Sequence, residues 1–126
     1  MKKIKIGWKV VEVNEEGYTS TSQLGKGLVI YNENTKTFPN KGFGPLCLFK
    51  TLKAARKYDN NFKRAESIVL KIFKAEYLQS DFTTMWSEHN ETSIKSAKRK
   101  YINSLKDIKA SEMALADWIK LKEEVE

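Results

Sequence analysis

Cys47 and His89 are the only cysteine and the only histidine, so the side chains that most often carry nucleophilic, redox or metal chemistry occur once each. One thiol and one imidazole supply no disulfide framework, zinc knuckle, Cys-X-X-Cys redox pair or histidine-paired metal centre. Cys47 lies inside the apolar run Leu46-Cys47-Leu48-Phe49, where a thiol is expected to be buried and inert. Glu88 and Glu91 flank His89 and have the chemistry of an acid and a base, but a solvated loop is the commoner reason for such residues. Gly25-Lys26-Gly27 is too short for a phosphate loop, which needs Gly-x-x-x-x-Gly-Lys-Ser/Thr before a helix, and reads as a hairpin turn. The sequence therefore predicts no catalytic residue, no metal site and no cofactor.

Charge points elsewhere. Among 126 residues, 23 Lys and Arg stand against 16 Asp and Glu, a net charge of +7. The excess is uneven. Over 92–109, Lys95, Lys98, Arg99, Lys100, Lys106 and Lys109 face Asp107 alone, and 50–74 is also strongly basic, whereas the chain ends on Glu123, Glu124 and Glu126. Such asymmetry suits an anionic partner, either nucleic acid or an acidic protein surface, the plain alternative being solvated faces. Phe82, Met85 and Trp86 precede the second basic stretch. Aromatic rings beside cations can stack bases while the cations hold phosphates, although these three could instead plug a sheet edge. The candidate partner-binding residues are Lys95, Lys98, Arg99, Lys100, Trp86, Arg56 and Lys57.

The elements that must position these residues follow from periodicity. Ile6–Val13 alternates as a strand, with Trp8 and Val10 on one face and Lys9, Val11 and Val13 on the other. Asn14–Gly17 is a turn, and Tyr18–Ser22 and Leu28–Tyr31 continue an antiparallel meander. Asn32–Asn40 is turn chemistry throughout. Gly42 and Gly44 permit unusual backbone angles, Pro45 cannot donate to a ladder, and Leu46–Phe49 forms a short strand. Thr51 caps a helix whose apolar positions are Leu52, Ala55, Tyr58 and Phe62. Ile68–Leu78 reads as a strand, Ser80–Thr92 as a polar connection, and Ser93–Lys109 as a helix with Ile94, Ala97, Tyr101, Leu105 and Ile108 on its apolar side. Propensity mildly favours a helix at Ala114–Leu121. No run approaches the ~20 apolar residues of a membrane span, and the N-terminus has no signal-peptide core, which predicts a cytoplasmic protein.

Trp8-Lys9-Val10-Val11, Tyr18-Thr19-Ser20, Gly44-Pro45-Leu46-Cys47-Leu48-Phe49-Lys50-Thr51-Leu52-Lys53-Ala54-Ala55 and Leu115-Ala116-Asp117-Trp118-Ile119-Lys120-Leu121 together resemble a group of small uncharacterised α+β domains common in phages and prophages. The resemblance covers the first two-thirds of the chain and its end. It implies a single α+β domain over 1–126, a curved antiparallel sheet with one or two packed helices, and a strand rather than a helix at 114–121. Residues 93–109 do not match and read as a basic helical insertion. No functional residue comes with the resemblance. By analogy it implies a non-enzymatic binding protein of phage or mobile-element type, such as a counter-defence or host-modulating inhibitor. The competing class is a small enzyme similar to arginine-directed ADP-ribosyltransferases, which pair a Ser-Thr-Ser strand with Glu-x-Glu. Here Thr19-Ser20-Thr21-Ser22 is followed by that spacing only at Glu124 and Glu126, at a terminus expected to fray.

Overall fold

A computed structural model describes residues 2–21, 29–62, 68–86 and 91–126. Strand β1 (Ile4–Asn14) turns at Gly17, which has a φ of 108°, into β2 (Gly17–Thr19), and β3 (Ile30–Tyr31) pairs with β2. Then come β4 (Lys36–Thr37), β5 (Leu46–Phe49), helix α1 (Leu52–Phe62) and β6 (Val69–Gln79). A hairpin of β7 (Thr84–Trp86) and β8 (Glu91–Ser93) leads into α2 (Ile94–Lys100), and β9 (Met113–Val125) ends the fold. This is the α+β architecture with a curved antiparallel sheet and two helices that the sequence predicts. No helix among the described residues is long and apolar enough to cross a membrane.

The strand pairings close on themselves. β1 pairs with β6, β6 with β9, β9 with β5, and β5 returns to β1 through Trp8 and Phe49. Closure makes two cores, because successive strand residues face opposite ways. Val10, Cys47, Phe49, Leu70, Ile72, Met113 and Leu115 pack under α1 and α2. Val11, Leu46, Leu48, Phe73, Ala75, Tyr77, Ala114 and Ala116 pack together with Tyr31, Ile119 and Leu121 in a second cluster to which neither helix contributes. That second cluster is the inside of the curled sheet. β9 is a strand although alanine and leucine favour helix, because Met113 to Ala116 are buried on both faces and the small Ala114 and Ala116 suit the crowded interior.

Gly7 makes the closure possible. A Cβ there would lie 2.9 Å from the carbonyl oxygen of Phe49 and 3.0 Å from Leu48 and Tyr77 atoms. Gly7→Val is therefore expected to cost about 1–3 kcal/mol through overpacking, read as a lower midpoint in urea unfolding, and an unchanged midpoint would contradict this account of closure.

Thr51 caps α1 as expected, its Oγ1 accepting from the Ala54 N–H at 3.1 Å. Ala54, Ala55, Tyr58 and Phe62 are buried, while Leu52 is only half-buried at the core's edge. The predicted helix over 93–109 is shorter in the structure. Ser93 Oγ accepts from the Ser96 N–H at 3.1 Å to start it, and it ends at Lys100. Ile102, Asn103, Ser104 and Asp107 are middling or poor helix formers, and the chain reverses at Asp107 with a φ of 61°. Leu105 still reaches the core from a turn, and Ile108 from the irregular chain just after it.

Two other segments correct the sequence reading. Lys36–Thr37, expected to be turn, forms β4 against β9, and the expected polar connection contains the β7–β8 hairpin. Gly44 also serves a different purpose from the one expected. Its backbone exchanges hydrogen bonds with Trp86, and a Cβ there would stand 3.0 Å from the indole ring. The Gly25–Gly27 turn, Glu88 and His89 lie outside the described residues.

A basic helix and a cleft with a buried lysine

α2 presents Lys95, Lys98, Arg99 and Lys100 in a single short element directly after the β7–β8 hairpin. Lys95, Arg99 and Lys100 are exposed and Lys98 half-exposed. Among the described residues no carboxylate lies within ion-pair distance of any of the four. Arg99 donates to Ser96 Oγ at 3.2 Å, and Lys100 Nζ lies 5.4 Å from the centre of the Tyr101 ring. Trp86 is half-buried on β7 and meets the exposed ring of Phe82 edge-on at 4.6 Å. Trp86 and Lys100 line the same cleft, so the structure brings together these two of the predicted residues.

Arg56 and Lys57 are placed differently. Arg56 lines a separate groove that also holds Asp59, Lys71, Glu124 and Glu126, and it donates to the Glu126 carbonyl at 3.4 Å. Lys57 donates to the Asp107 carbonyl at 2.9 Å. Its ammonium thereby ties α1 to the turns that follow α2, beside Asn61, which donates to the Ser104 and Lys106 carbonyls.

The cleft contains what the sequence reading missed. Along one edge of β1 the partner changes from β5 at Trp8 to β2 at Glu12–Asn14, and in the interval between them the ladder is interrupted. Lys9 sits in that interval, 4% exposed. Its Nζ donates to the Cys47 carbonyl at 2.6 Å and lies 5.4 Å from the centre of the Tyr31 ring. Among the described residues it has no carboxylate partner. Burial lowers its pKa to about 8, so at neutral pH it remains mostly charged. Cys47, 1% exposed, is pushed up to about 11 by burial, so its thiol stays protonated. Tyr31 is 1% exposed, and its hydroxyl has no hydrogen-bond partner among the described residues. The cavity above these groups has a volume of about 50 Å³ and is walled by Phe43, Met85, Trp86 and Tyr101. A cleft with aromatic walls that is also lined by a buried lysine and a buried tyrosine, and by no carboxylate among the described residues, is rich in donors and has no acceptor charge of its own. The alternation of β1 carried the signal, since it already placed Lys9 on the face of buried Val11.

No protein family, curated protein or solved structure matches this chain.

The residues behind the transferase alternative have structural work in the fold. Thr19 Oγ1 accepts from Asn14 at 2.8 Å, Ser20 Oγ accepts from the Val29 N–H at 3.1 Å, and Thr21 Oγ1 shares a 2.7 Å hydrogen bond with Tyr58. Glu124 does not fray as expected. It lies within β9 and accepts from Lys71 Nζ at 3.0 Å.

Proposed function

We propose that this protein is a non-enzymatic binding protein that engages an anionic macromolecule over α2 and the neighbouring β7–β8 hairpin. The observation that carries the reading is that Lys95, Lys98, Arg99 and Lys100 share one seven-residue helix with no carboxylate among the described residues to neutralise them. Uncompensated cations on one element raise the local concentration of a polyanion and speed its association. The favoured polyanion is single-stranded nucleic acid, because Trp86, which lines a cleft with Lys100 and meets the exposed Phe82 ring, offers aromatic surface on which bases can stack. A phage or mobile-element origin and a host-modulating or counter-defence role belong to the same proposal, and rest on the sequence resemblance alone.

Capture from host lysate, with and without nuclease, tests the reading. The wild-type protein is expected to retain nucleic acid that nuclease removes, and the variant K95A/K98A/R99A/K100A is expected to retain little. Nuclease-resistant capture of an acidic protein that the variant loses would transfer the same face to a protein partner. Equal capture by both forms would overturn the proposal.

A further inference from the structure

The cleft beneath Trp86 supports an inference that does not depend on nucleic-acid binding. We propose that it is a binding site for a small organic monocarboxylate, whose carboxylate is held by Lys9 and Tyr31 and whose apolar body lies against the aromatic walls.

The polar end of the site is incomplete as it stands. Lys9 has three donor hydrogens, and one of them goes to the Cys47 carbonyl. The Tyr31 hydroxyl is buried and has no hydrogen-bond partner among the described residues. Leaving such a group unsatisfied costs about 1–3 kcal/mol, and a buried ammonium without a counter-charge is costlier still. Both groups can donate, and Lys9 and Tyr31 line one cavity together with Trp86 and Lys100. The ligand that satisfies them must bring acceptors and negative charge.

Charge and size narrow the class. A carboxylate carries one negative charge and about four lone-pair sites, which matches one ammonium and one hydroxyl. A phosphate dianion would bring a second charge that the buried part of the site does not balance. About 50 Å³ exceeds the space for a single water and accommodates a small head group. Phe43, Met85, Trp86 and Tyr101 offer ring and thioether surface to whatever is attached to it. Lys100 at the same cleft adds long-range attraction for an anion.

The test uses benzoate as probe, with benzamide as its uncharged isostere and inorganic phosphate as a second anion, titrated into the full chain by calorimetry and by chemical-shift changes of Trp86. Benzoate is expected to bind saturably and about tenfold or more tighter than benzamide, the scale of one charge-assisted hydrogen bond. Lys9→Met should weaken benzoate by about tenfold or more. Tyr31→Phe keeps the ring and removes only an unpartnered hydroxyl, so it should fold at least as stably as the wild type while weakening benzoate several-fold. That variant keeps the proposal testable if Lys9→Met fails to fold. Equal affinity for benzoate and benzamide, absence of saturable benzoate binding, or phosphate binding as tight as benzoate with the same sensitivity to Tyr31→Phe would each overturn it.

Discussion

Replacing Tyr58 by alanine is expected to lower the free energy of unfolding by about 3–5 kcal/mol, the range for truncating a large buried aromatic residue. Tyr58 is fully buried in the core beneath α1, between Phe49 with ring centres 5.3 Å apart and Phe62 at 5.5 Å. Its hydroxyl meets Thr21 Oγ1 at 2.7 Å, which fastens the helix to the segment after β2. Truncation would therefore open a cavity and leave the buried Thr21 hydroxyl unpaired. Tyr58→Phe keeps the rings packed but also leaves the buried Thr21 hydroxyl without this partner, for a cost of about 1–3 kcal/mol. Urea unfolding of the two variants separates packing from hydrogen bonding. A loss below 1 kcal/mol for Tyr58→Ala would mean that α1 is not anchored through this residue.

The second large effect concerns pH. Below about pH 8 the Lys9 amine is protonated in both the folded and unfolded chains, and the folded state bears the full cost of burying the charge. Between about pH 8 and the ordinary value of 10.5 the folded chain has released that proton while the unfolded chain keeps it. The unfolded state then binds more protons, so Lys9 makes stability rise with pH across this window, by a total on the order of 3 kcal/mol. Cys47 acts in the opposite direction. Its thiol is held protonated to about 11 in the fold, against 9.0 when free, so its contribution is lost as pH rises from about 9 to about 11. Tyr31 and Tyr58 are also raised by burial and subtract stability at still higher pH.

Comparison of Lys9→Met with the wild type at each pH cancels the shared tyrosine contributions and leaves that of Lys9 together with its smaller coupling to Cys47, whose pKa the Lys9 charge lowers. The stability of the variant relative to wild type should be greatest near pH 7 and fall by about 3 kcal/mol by pH 10.5. A difference that stays constant from pH 7 to 10.5 would mean that the amine is not buried in its charged form.

The fold was largely legible because its strong signals are local. The Leu46–Phe49 strand, the Thr51 cap, the apolar run of β6 and the buried face of α1 all lie within short windows of sequence. β9 was not legible from propensity, because its strand conformation is set by pairing with β4, β5 and β6 across the chain. The short β4 and the β7–β8 hairpin escaped for a different reason, since neither has enough alternating residues to register as periodic. The cations of α2 could be read directly, whereas their juxtaposition with Trp86 could not, because it depends on the bridge between Gly44 and Trp86. Lys9 was hidden by its residue type. Lysine is rarely buried, and its burial follows from closure of the sheet through Gly7 and the exchange of partners along β1.

The most direct test of the anionic-partner account is the salt dependence of binding to a fluorescently labelled single-stranded oligonucleotide, measured by anisotropy between 50 and 200 mM salt for wild type and K95A/K98A/R99A/K100A. Each phosphate contact releases about 0.7 counterions from a single strand, so removing four contacts should flatten the slope of log affinity against log salt by roughly 3 and weaken binding across sequences. Identical slopes and affinities for the two proteins would contradict the assignment of α2 as the binding face.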